Sequence, residues 1–481
     1  MAKLPTACLL AVASIFALCH SACVRDDFSE SSALKLSFSA DTVLFDTVFT
    51  TIGSSTQYFK VYNRSGHDLH ISSIRLAGGS TSPYRINVDG RSGVTFSNVS
   101  LRSRDSLFVF VEVTVDPTSL NSPLLVADSI MFSTNGNIQD VKLVAWGQDV
   151  HLLRSEIISN DTVLATDKPY LIYSYLLVDT ATTLTIPAGV RMYFHNQAML
   201  VVAGTLKVEG EQGSPVVMEG DRLEDFYRDK AGQWGGIWLT AGSRYSAISW
   251  AEIRNAITGI TVDTCFTSHA PTLTLSHTRI ENCSYVGLLA RGAKVKADNC
   301  LVSNAAQVCV ALTMGGEYRF YHCTVANYWG DYIYRKGPAL LLNNYYLYRL
   351  EENGPLYVEP RDLVEASFFN SIVYGSMSSE FQVDNIVNGA PVAAQMNYHF
   401  EDCILKVPQN FDLTDTEKFT RVFTLDPKFK DSNAHVFLLD TLSPAMGIAN
   451  PAVATDYPID LNGFNRLTDG KPDLGAYERQ E

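Results

Sequence analysis

The sequence lacks the residue patterns of several common functional classes. Its nine cysteines include no CxxC pair, so the ligand spacing typical of structural zinc sites is absent. After Leu18, no stretch approaches the roughly eighteen uncharged apolar residues that a membrane-spanning helix needs. The formal net charge is -14, which disfavours nucleic acid as a partner because phosphates bind basic surfaces. These absences predict a chain without a zinc site, a transmembrane helix or a nucleic-acid partner.

The chain nevertheless contains enough apolar material for a large core. Hydrophobic residues make up 46% and charged residues 18% of its 481 residues. These values are typical of a folded protein rather than a disordered one. The length accommodates about two or three domains, and the character of the sequence changes near residue 150. We therefore expect an all-β chain with one domain over 35–150 and a second over 151–440.

The longest apolar run lies near the start of the chain, shortly before a cysteine. Leu9–Leu18 reads LLAVASIFAL, which is too short to span a bilayer but suits the core of a signal peptide. The small residues of a cleavage site come just before Cys23. This arrangement resembles a bacterial lipoprotein signal, although His20 stands where that family usually has Leu, Val or Ile. The resemblance implies a signal peptide over 1–22 and acylation of Cys23, for example with palmitate. The alternative is an ordinary secretory signal with a chance cysteine.

A short acidic stretch follows the cysteine. VRDDFSE resembles the tag that directs Bacteroidota lipoproteins through the outer membrane to the cell surface. This resemblance implies a flexible tether over 23–34 and a protein held on the extracellular side of the outer membrane. Each buried CH₂ of an acyl chain contributes about 0.8 kcal/mol to such anchoring. The alternative is a linker that happens to be acidic.

The segment 35–150 consists of short strand-like runs. YFKVYN (58–63), LHISSIRL (69–76) and SLFVFVEVTV (106–115) are rich in β-branched and aromatic residues, and Gly, Asn, Asp and Ser separate them. Alternation in the third run predicts a β-sandwich. The order of F-x-V-x-N, a VDP turn, ADSIMFSTNG and a strand ending in WGQ resembles bacterial Ig-like domains of the spindle/hydin type. That resemblance implies a spacer or docking module.

The segment 151–440 contains an internal repeat. Six pieces align, and they read WAEIRN, HTRIEN, NCLVSN, HCTVAN, NSIVYG and DCILKV, starting at positions 250, 277, 299, 322, 370 and 402. The fourth position is always aliphatic, the second is always small, and the sixth is Asn in the first four pieces. Successive aliphatic positions are 27, 22, 23, 48 and 32 residues apart. Spacings of 22–27 residues of strand and turn fit one coil of a right-handed parallel β-helix.

This repeat predicts what stacks inside the β-helix. Equivalent positions of adjacent coils lie about 4.8 Å apart, so the aliphatic residues form a continuous apolar column. Asn side chains at the turn are expected to bond one another along a second column. Cysteine at the small position acts as a small hydrophobe, so we expect Cys300, Cys323 and Cys403 to be buried thiols. The phrase IPAG in LTIPAGVRMYF (184–194) and the glycines that follow resemble the opening coils of many bacterial β-helix proteins.

The chain ends in motifs that close such folds. SPAMGIAN, DLNGFNR and DLGAYE resemble the closing segment of Bacteroidota surface β-helix proteins of the choice-of-anchor-Q type. The resemblance implies a C-terminal cap over 441–481 that covers the last coil, whose unpaired edge would otherwise invite aggregation. Calcium binding by carboxylates in this segment is the alternative, at Asp456, Asp460, Asp469 and Asp473. Because no alternating D-x-D-x-D loop is present, we expect a cap and no metal.

A catalytic set is hard to find in the repeat region. The NTD and HG motifs of β-helix hydrolases are missing, and Asp-Asp occurs only in the tether. Lyases of this fold use a basic residue, and the candidates are Arg291, Lys294, Lys296 and Arg319. We expect these to form a solvated face, because no acidic metal-ligand cluster accompanies them. His277 and His322 share a repeat position but lie two coils apart, about 10 Å, too far for one metal ion. We therefore expect no catalytic residue, metal site or cofactor.

A tyrosine-rich insertion is the best candidate for binding. It spans 328–360, and tyrosines combine apolar area with a polar tip. The candidate binding residues are Tyr328, Trp329, Tyr332, Tyr334, Arg335, Tyr345, Tyr346 and Tyr348. A charged, aromatic loop at 219–236 is a second candidate. The alternative is that these aromatic side chains pack against their own coil.

These observations predict a non-catalytic, surface-exposed outer-membrane lipoprotein. Its β-helix would be a rigid binding or structural module for an outer-membrane protein complex or a glycan. The main alternative is a polysaccharide lyase or glycoside hydrolase of the β-helix class, and a third is an adhesin.

Overall fold

The computed structural model describes residues 28–117, 124–263, 270–329 and 334–480. The predicted signal peptide and the predicted acylation site, Cys23, lie outside these residues. The chain divides into two compact units, with the boundary between Asp149 and Val150. In the described ranges, no helix combines the length and apolar character that crossing a membrane requires.

The first unit is a β-sandwich. Its strands are β1 (Ser37–Phe38), β2 (Thr42–Phe49), β3 (Gln57–Tyr62), β4 (Leu69–Leu76), β5 (Tyr84–Val88), β6 (Arg91–Gly93), β7 (Thr95–Leu101), β8 (Ser106–Val113), β9 (Leu124–Thr134) and β10 (Asn137–Gln148). They form two five-stranded sheets, with the orders β1-β3-β8-β5-β6 and β2-β10-β9-β4-β7. Every second residue of β8 is buried, from Leu107 to Val113. One core cluster joins Phe59 and Val109 of the first sheet to Phe132 of the second, which confirms the predicted sandwich.

The described part of the second unit consists of short strands, a 3₁₀-helix at Asp225–Tyr227 and one short α-helix. The first half contains β11 (His151–Ile158), β12 (Thr162–Val163), β13 (Tyr170–Val178), β14 (Thr183–Pro187), β15 (Arg191–Phe194), β16 (Met199–Val202), β17 (Thr205–Glu209), β18 (Val216–Gly220), β19 (Gly236–Leu239), β20 (Ser246–Ser249), β21 (Ala251–Arg254), β22 (Thr258–Val262), β23 (Leu273–Ser276), β24 (Arg279–Cys283), β25 (Val286–Arg291) and β26 (Lys294–Asp298). The second half contains β27 (Leu301–Ala305), β28 (Val308–Thr313), β29 (Gly316–Tyr321), β30 (Thr324–Asn327), β31 (Leu340–Asn343), β32 (Tyr345–Tyr348), β33 (Tyr357–Pro360), β34 (Leu363–Phe369), β35 (Ile372–Gly375), β36 (Phe381–Asp384), β37 (Ile386–Val387), β38 (Ala390–Pro391), β39 (His399–Leu405), β40 (Phe419–Phe423), β41 (Phe429–Asp431), β42 (Val436–Leu439) and the helix α1 (Pro451–Asp456).

These strands wind into a parallel β-helix. From β14 to β28 each strand pairs in parallel with the strand three places later, so one coil has three strands and the unit has three faces. The first face contains β15, β18, β21, β24, β27, β30 and β35. The second contains β16, β19, β22, β25, β28, β31 and β36. The third contains β14, β17, β20, β23, β26, β29, β34 and the start of β39. The predicted all-β fold, a sandwich followed by a parallel β-helix, is confirmed.

The aliphatic column of the repeat lies in the interior, in the predicted register. Register partners run in series along the first face, through Ile253, Ile280, Val302, Val325, Val373 and Leu405. Each of these side chains is at most 3% exposed. The small residues of the second position are buried as well, and Cys300, Cys323 and Cys403 are free thiols. Burial raises the pKa of the Cys403 thiol, which makes the reactive thiolate scarce.

The turn into each strand of the first face uses left-handed backbone. The first residue of every repeat piece has a φ between 47° and 52°, namely Trp250, His277, Asn299, His322, Asn370 and Asp402. Asn255, Asn282 and Asn304, at the sixth position, also adopt positive φ. Asn and Asp tolerate this conformation better than other side chains, which explains their recurrence. The predicted Asn column forms only in part: Asn282 Nδ2 donates to Asn255 Oδ1 at 2.5 Å, whereas Asn327 Nδ2 donates to the Ala305 carbonyl.

The end of the chain lies along the first face. We expected residues 441–481 to cover the last coil. Instead, the Ala476 backbone N–H donates to Thr324 Oγ1 at 2.9 Å, and Arg466 Nη2 donates to Asn299 Oδ1 at 2.9 Å. Further back along the β-helix, Gln212 Nε2 donates to the Asn462 carbonyl at 3.2 Å.

Apolar side chains that point outward explain this position. Leu301, Ile372 and Ile404 lie in one register column on the outer side of the first face, with Thr324 between the first two, and all three are buried. They belong to clusters completed by Leu461 and Leu474 of the C-terminal segment. At the end of the last coil, Val407, Phe411 and Leu413 pack against the interior. The C-terminal segment therefore shields an apolar flank, while the loop after β39 contacts the last coil.

Candidate functional site

An antiparallel hairpin interrupts the coils between β31 and β34. It consists of β32 and β33, with Tyr345 opposite Pro360 and Tyr348 opposite Tyr357. The hairpin forms its own two-stranded sheet, separate from the β-helix sheet. Tyr346 and Tyr348 share one side because side chains alternate along a strand. The three rings are nearly parallel: Tyr346 and Tyr348 are 5.7 Å apart, and Tyr348 and Tyr357 are 5.4 Å apart, between centroids.

The hairpin exposes apolar side chains at its tip as well. Leu350 is 74% exposed and Leu356 is 46% exposed, while Leu347 is 39% exposed on the side opposite the tyrosines. We call Tyr346, Leu347, Tyr348, Leu350, Leu356 and Tyr357 the hairpin surface. Adjacent exposed apolar groups of this kind mark interaction sites more often than isolated ones do.

Polar contacts fix the base of the hairpin. The Tyr345 hydroxyl donates to both oxygens of the Asp384 carboxylate, at 2.9 and 2.8 Å. Partial burial, together with this contact, raises the pKa of Tyr345 to about 12. At the other strand, the Arg361 N–H donates to the Asn344 carbonyl at 2.8 Å. The aromatic side chains are therefore presented on an anchored element, which lowers the entropy lost when a partner binds.

Several predicted binding residues are structural instead. Arg335 is 9% exposed and forms a buried ion pair with Glu380. Its Nη1 also donates to the Asn327 carbonyl, so the guanidinium joins two coils rather than facing a partner. Trp329 is 9% exposed, and Tyr328 packs against Phe429 and Phe437.

The remaining predicted residues divide between the surface and the undescribed ranges. Tyr334 is 87% exposed. Tyr332 lies outside the described residues. Tyr346 and Tyr348 belong to the hairpin surface, which the prediction located within 328–360 without separating it from the buried residues around Arg335.

The loop at 219–236 is only partly a surface feature. Trp234 is fully buried and stacks on Phe194 at 4.2 Å, so it belongs to the coil interior. Phe226 is 70% exposed. Arg222 lies over the Tyr227 ring at 3.9 Å and pairs with Glu224. Charged side chains of this loop thus pair with one another, and few of them are available to bind a partner.

The basic residues proposed for lyase chemistry are engaged by acids. Lys294 Nζ lies 2.9 Å from Glu317, and Arg319 binds Glu365 through two nitrogens at 2.8 and 2.6 Å. The Glu365 contact raises the pKa of Arg319. Arg291 pairs with Asp263 on the second face. Since a base must lose its proton, these ion pairs make the side chains poor catalysts.

Lys296 and the histidines also lack a catalytic setting. Lys296 Nζ lies 5.4 Å from the centroid of the Tyr457 ring. His277 Nε2 bonds the Ile459 carbonyl and its ring stacks on Trp250 at 4.3 Å. His322 is fully buried, and burial lowers its pKa well below the usual value. The prediction that both histidines are turn or packing residues agrees with these contacts.

A column of charge on the first face was not predicted. Arg254 and Glu281 are register partners on adjacent coils, and Glu252 and Arg279 are partners beside them, while Glu219 directly follows the register pair of Met218 and Ile253 one coil earlier. Arg254 Nη2 is 3.1 Å from Glu252 and 3.7 Å from Glu219. Burial raises the pKa of both the Glu219 and Glu281 carboxyls. The sequence does contain this pattern. The third and fifth positions of the repeat are Glu and Arg in WAEIRN but Arg and Glu in HTRIEN, so opposite charges meet when the two pieces stack.

Aspartates of the C-terminal segment accept hydrogen bonds from backbone N–H groups. Asp460 Oδ1 accepts from the N–H groups of Asn462 and Phe464, at 2.9 and 2.7 Å. Asp473 accepts from Gly447 and Arg479 in the same way. Among the residues that the structure describes, no group of three His, Cys, Asp or Glu side chains is arranged to hold a metal ion.

These features define an all-β protein with a parallel β-helix. Residues 156–263 match the family described as the pectate-lyase-like beta helix domain. No curated protein matches this chain. Among solved structures, the catalytic unit of a thermostable GH87 alpha-1,3-glucanase from Streptomyces thermodiastaticus is similar over 72% of this chain and 73% of its own length. The identity is 12% and the TM-score 0.30.

Two further solved structures are similar over about a quarter of the chain. PapD-like domain 7 of human CEP192 is 13% identical, with a TM-score of 0.17 over 24% of this chain and 85% of that domain. A family 123 glycoside hydrolase from Clostridium perfringens is 6% identical, with a TM-score of 0.18 over 25% of this chain. The match covers 30% of that hydrolase. Similarities this low say nothing about what the chain binds or cleaves.

Proposed function

We propose that this protein is a lipid-anchored, surface-exposed outer-membrane protein that binds another envelope protein through the hairpin surface. The hairpin surface carries the proposal, because its apolar side chains stand exposed on an anchored element outside the coils. The lipoprotein-like sequence ending at Cys23 supports the location. In this proposal the β-helix is a rigid support, and the sandwich is an Ig-like spacer.

The composition of the hairpin surface favours a protein partner. Tyrosines at the centre of an interface contribute much of its binding energy, and leucines fill the surrounding contact area. The exposed apolar groups occupy both sides and the tip of the hairpin, from Tyr346 to Leu356. A stable protein interface buries roughly 800 Å² on each partner, which needs such a spread of contacts.

Affinity capture from detergent-solubilised outer membranes tests the binding role. We expect the tagged wild type to recover a defined partner, and the Tyr346→Ser/Tyr357→Ser variant to lose it. Tyr245→Ser is the matched control, because Tyr245 is a tyrosine that is 61% exposed elsewhere on the β-helix. Recovery of the wild type as a lone monomer, or equal capture by the hairpin variant, would refute the proposal.

Metabolic labelling with palmitate tests the anchor separately. The wild type should incorporate label and sediment with outer membranes, whereas Cys23→Ser should do neither. An unlabelled wild type would contradict the lipoprotein assignment but leave the hairpin experiment valid.

Polysaccharide cleavage is a second candidate function, favoured by the charged column on the first face. Glu219 and Glu281 lie two coils apart, about 10 Å between backbones, with Arg254 between them. A carboxyl whose pKa is raised by burial can act as a general acid, and glycoside hydrolysis uses two carboxyl groups. Purified protein should be assayed on neutral and uronate-containing polysaccharides, with and without calcium. Turnover that disappears in Glu281→Gln but persists in the control Glu317→Gln would establish this activity, and no turnover on any substrate would exclude it.

A further inference from the structure

The outer side of the first sandwich sheet carries a cluster of exposed aromatic rings. Tyr58 on β3 is 60% exposed, and Phe108 and Phe110 on β8 are 39% and 38% exposed. Tyr58 lies directly opposite Phe110 in the antiparallel register. The centroid of the Tyr58 ring lies 5.6 Å from the centroid of Phe108 and 6.0 Å from that of Phe110. We call these three side chains the aromatic face.

The local sequence pattern places these rings in solvent. Along β8 the valines at 109, 111 and 113 fill the sandwich core, so the residues between them point outward. An outward side normally carries polar residues in an antiparallel sheet. Phe108 and Phe110 depart from that rule together, and their rings are nearly parallel, 14° apart, with centroids 5.9 Å apart. Two phenylalanines and a tyrosine side by side on one sheet indicate a binding role rather than a folding role.

The neighbours of the rings supply polar groups of both signs. Lys60 Nζ lies 4.5 Å from the centroid of Phe108 and faces it in the register. Glu112 follows Phe110 on the same side of β8, and Asn87 on β5 lies opposite Phe110. Arg85 on β5 lies opposite Glu112 on the same outer side, so two cations, one anion and one amide surround the rings, and neither sign of charge predominates strongly. A charged ligand would therefore gain little electrostatic binding energy from these side chains, and the overall charge of -14 repels anionic chains.

The area of the aromatic face favours a small ligand over a protein as its partner. An aromatic side chain offers roughly 150–250 Å² of area, so three rings exposed by 38–60% present about 300 Å² together. That is well under the roughly 800 Å² that each partner contributes to a stable protein interface. It suits a ligand of a few rings, whose flat apolar sides lie on the aromatic rings while its hydroxyls bond the polar neighbours.

We propose that the aromatic face of the sandwich binds a neutral oligosaccharide, whose pyranose rings stack on Tyr58, Phe108 and Phe110. Lys60, Asn87 and Glu112 supply hydrogen bonds to its hydroxyl groups. This site lies in the first unit and does not depend on the hairpin surface or on the proposed partner protein. The protein would thereby hold a glycan with one unit and present its hairpin from the other.

Titration of the full chain with neutral hexasaccharides tests this site. The probes are cellohexaose, xylohexaose, mannohexaose, laminarihexaose and chitohexaose, and binding is measured by calorimetry. At least one should bind, with an affinity that falls about tenfold or more in Phe110→Thr and in Tyr58→Thr. Threonine retains the preference for strand, so both variants should keep the sandwich folded. Leu44→Thr on β2, at an apolar residue 59% exposed on the other sheet, is the matched control and should bind normally.

Either of two results with the sugars would overturn the assignment. In one, none of the five hexasaccharides binds. In the other, a sugar binds with equal affinity to the wild type and to both aromatic-face variants. Loss of a captured protein, rather than of a sugar, in Phe110→Thr would instead make the aromatic face a protein-docking surface, and would equally contradict the proposal.

Discussion

The buried pair of Arg335 and Glu380 yields a prediction that separates a structural role from a binding role. Glu380 is fully buried, and it accepts hydrogen bonds from the backbone N–H groups of Ala339 and Met377, at 2.9 and 2.8 Å, as well as from Arg335. In Arg335→Ala the carboxylate loses its cation but stays buried. Breaking such a pair costs about 3–5 kcal/mol, because the remaining charge is uncompensated.

This loss should be visible locally. Coils of a solenoid contact mainly their neighbours, so unfolding need not be a single transition. Hydrogen exchange at the amides of Ala339 and Met377 reports the relevant segment directly. A destabilisation of about 3–5 kcal/mol lowers their protection by roughly two to four orders of magnitude, at about 1.4 kcal/mol for each factor of ten. Amides of β15 and β16, several coils away, are the internal control and should change little.

The opposite pattern would refute the structural role. If Arg335 served a partner, its replacement would leave amide protection unchanged and abolish partner capture. Tyr334→Ala provides the comparison, because this neighbour is 87% exposed. We expect its effect on stability to stay within about 0.5 kcal/mol, as for most surface substitutions.

Three further outcomes follow from buried groups of the second unit. Ile280→Ala should destabilise the β-helix by about 2–5 kcal/mol in urea unfolding, since it opens a cavity in the apolar column; a loss below about 1 kcal/mol would argue against that column. Burial raises the pKa of Glu478 from 4.5 to about 8. Its contribution to stability is therefore complete below about pH 4.5 and lost as pH rises towards 8, and Glu478→Gln should flatten that part of the pH profile. The thiols of Cys300 and Cys403 should resist alkylation in the native protein and react only on unfolding, which mass spectrometry would show.

The repeat made the β-helix predictable because stacking imposes the same requirement on every coil. Ile280, Val302 and Val325 occupy one interior column, so each must be aliphatic, and three positions of the repeat agree at once. The sandwich was predictable for a similar reason, since alternation along β8 reports one buried and one exposed side. Local periodicity of this kind can be recognised in a single sequence.

The functional surfaces were harder to predict because exposure is decided by contacts distant in sequence. Tyr346 and Trp329 belong to the same aromatic insertion, yet one is exposed and the other is buried. Nothing in the residue types near Arg335 reveals that Glu380, 45 positions later, neutralises it. The position of the C-terminal segment was missed for a related reason. Its contacts with Asn299 and Thr324 join residues more than 150 positions apart.

The outer side of the first face shows how the chain divides its surface between structure and function. In the earlier coils the outward residues are charged and pair with one another, as Glu252 does with Arg254 and Arg279. In the later coils they are apolar, as at Ile372, and the C-terminal segment covers them. The outward side chains of this flank are therefore mostly paired with an opposite charge or shielded from water. Two groups of three neighbouring aromatic rings lie elsewhere, on the hairpin surface and on the aromatic face, and among the described residues no segment covers their exposed sides. The two proposed binding sites lie at those places, because binding there would remove apolar area from water without breaking an ion pair.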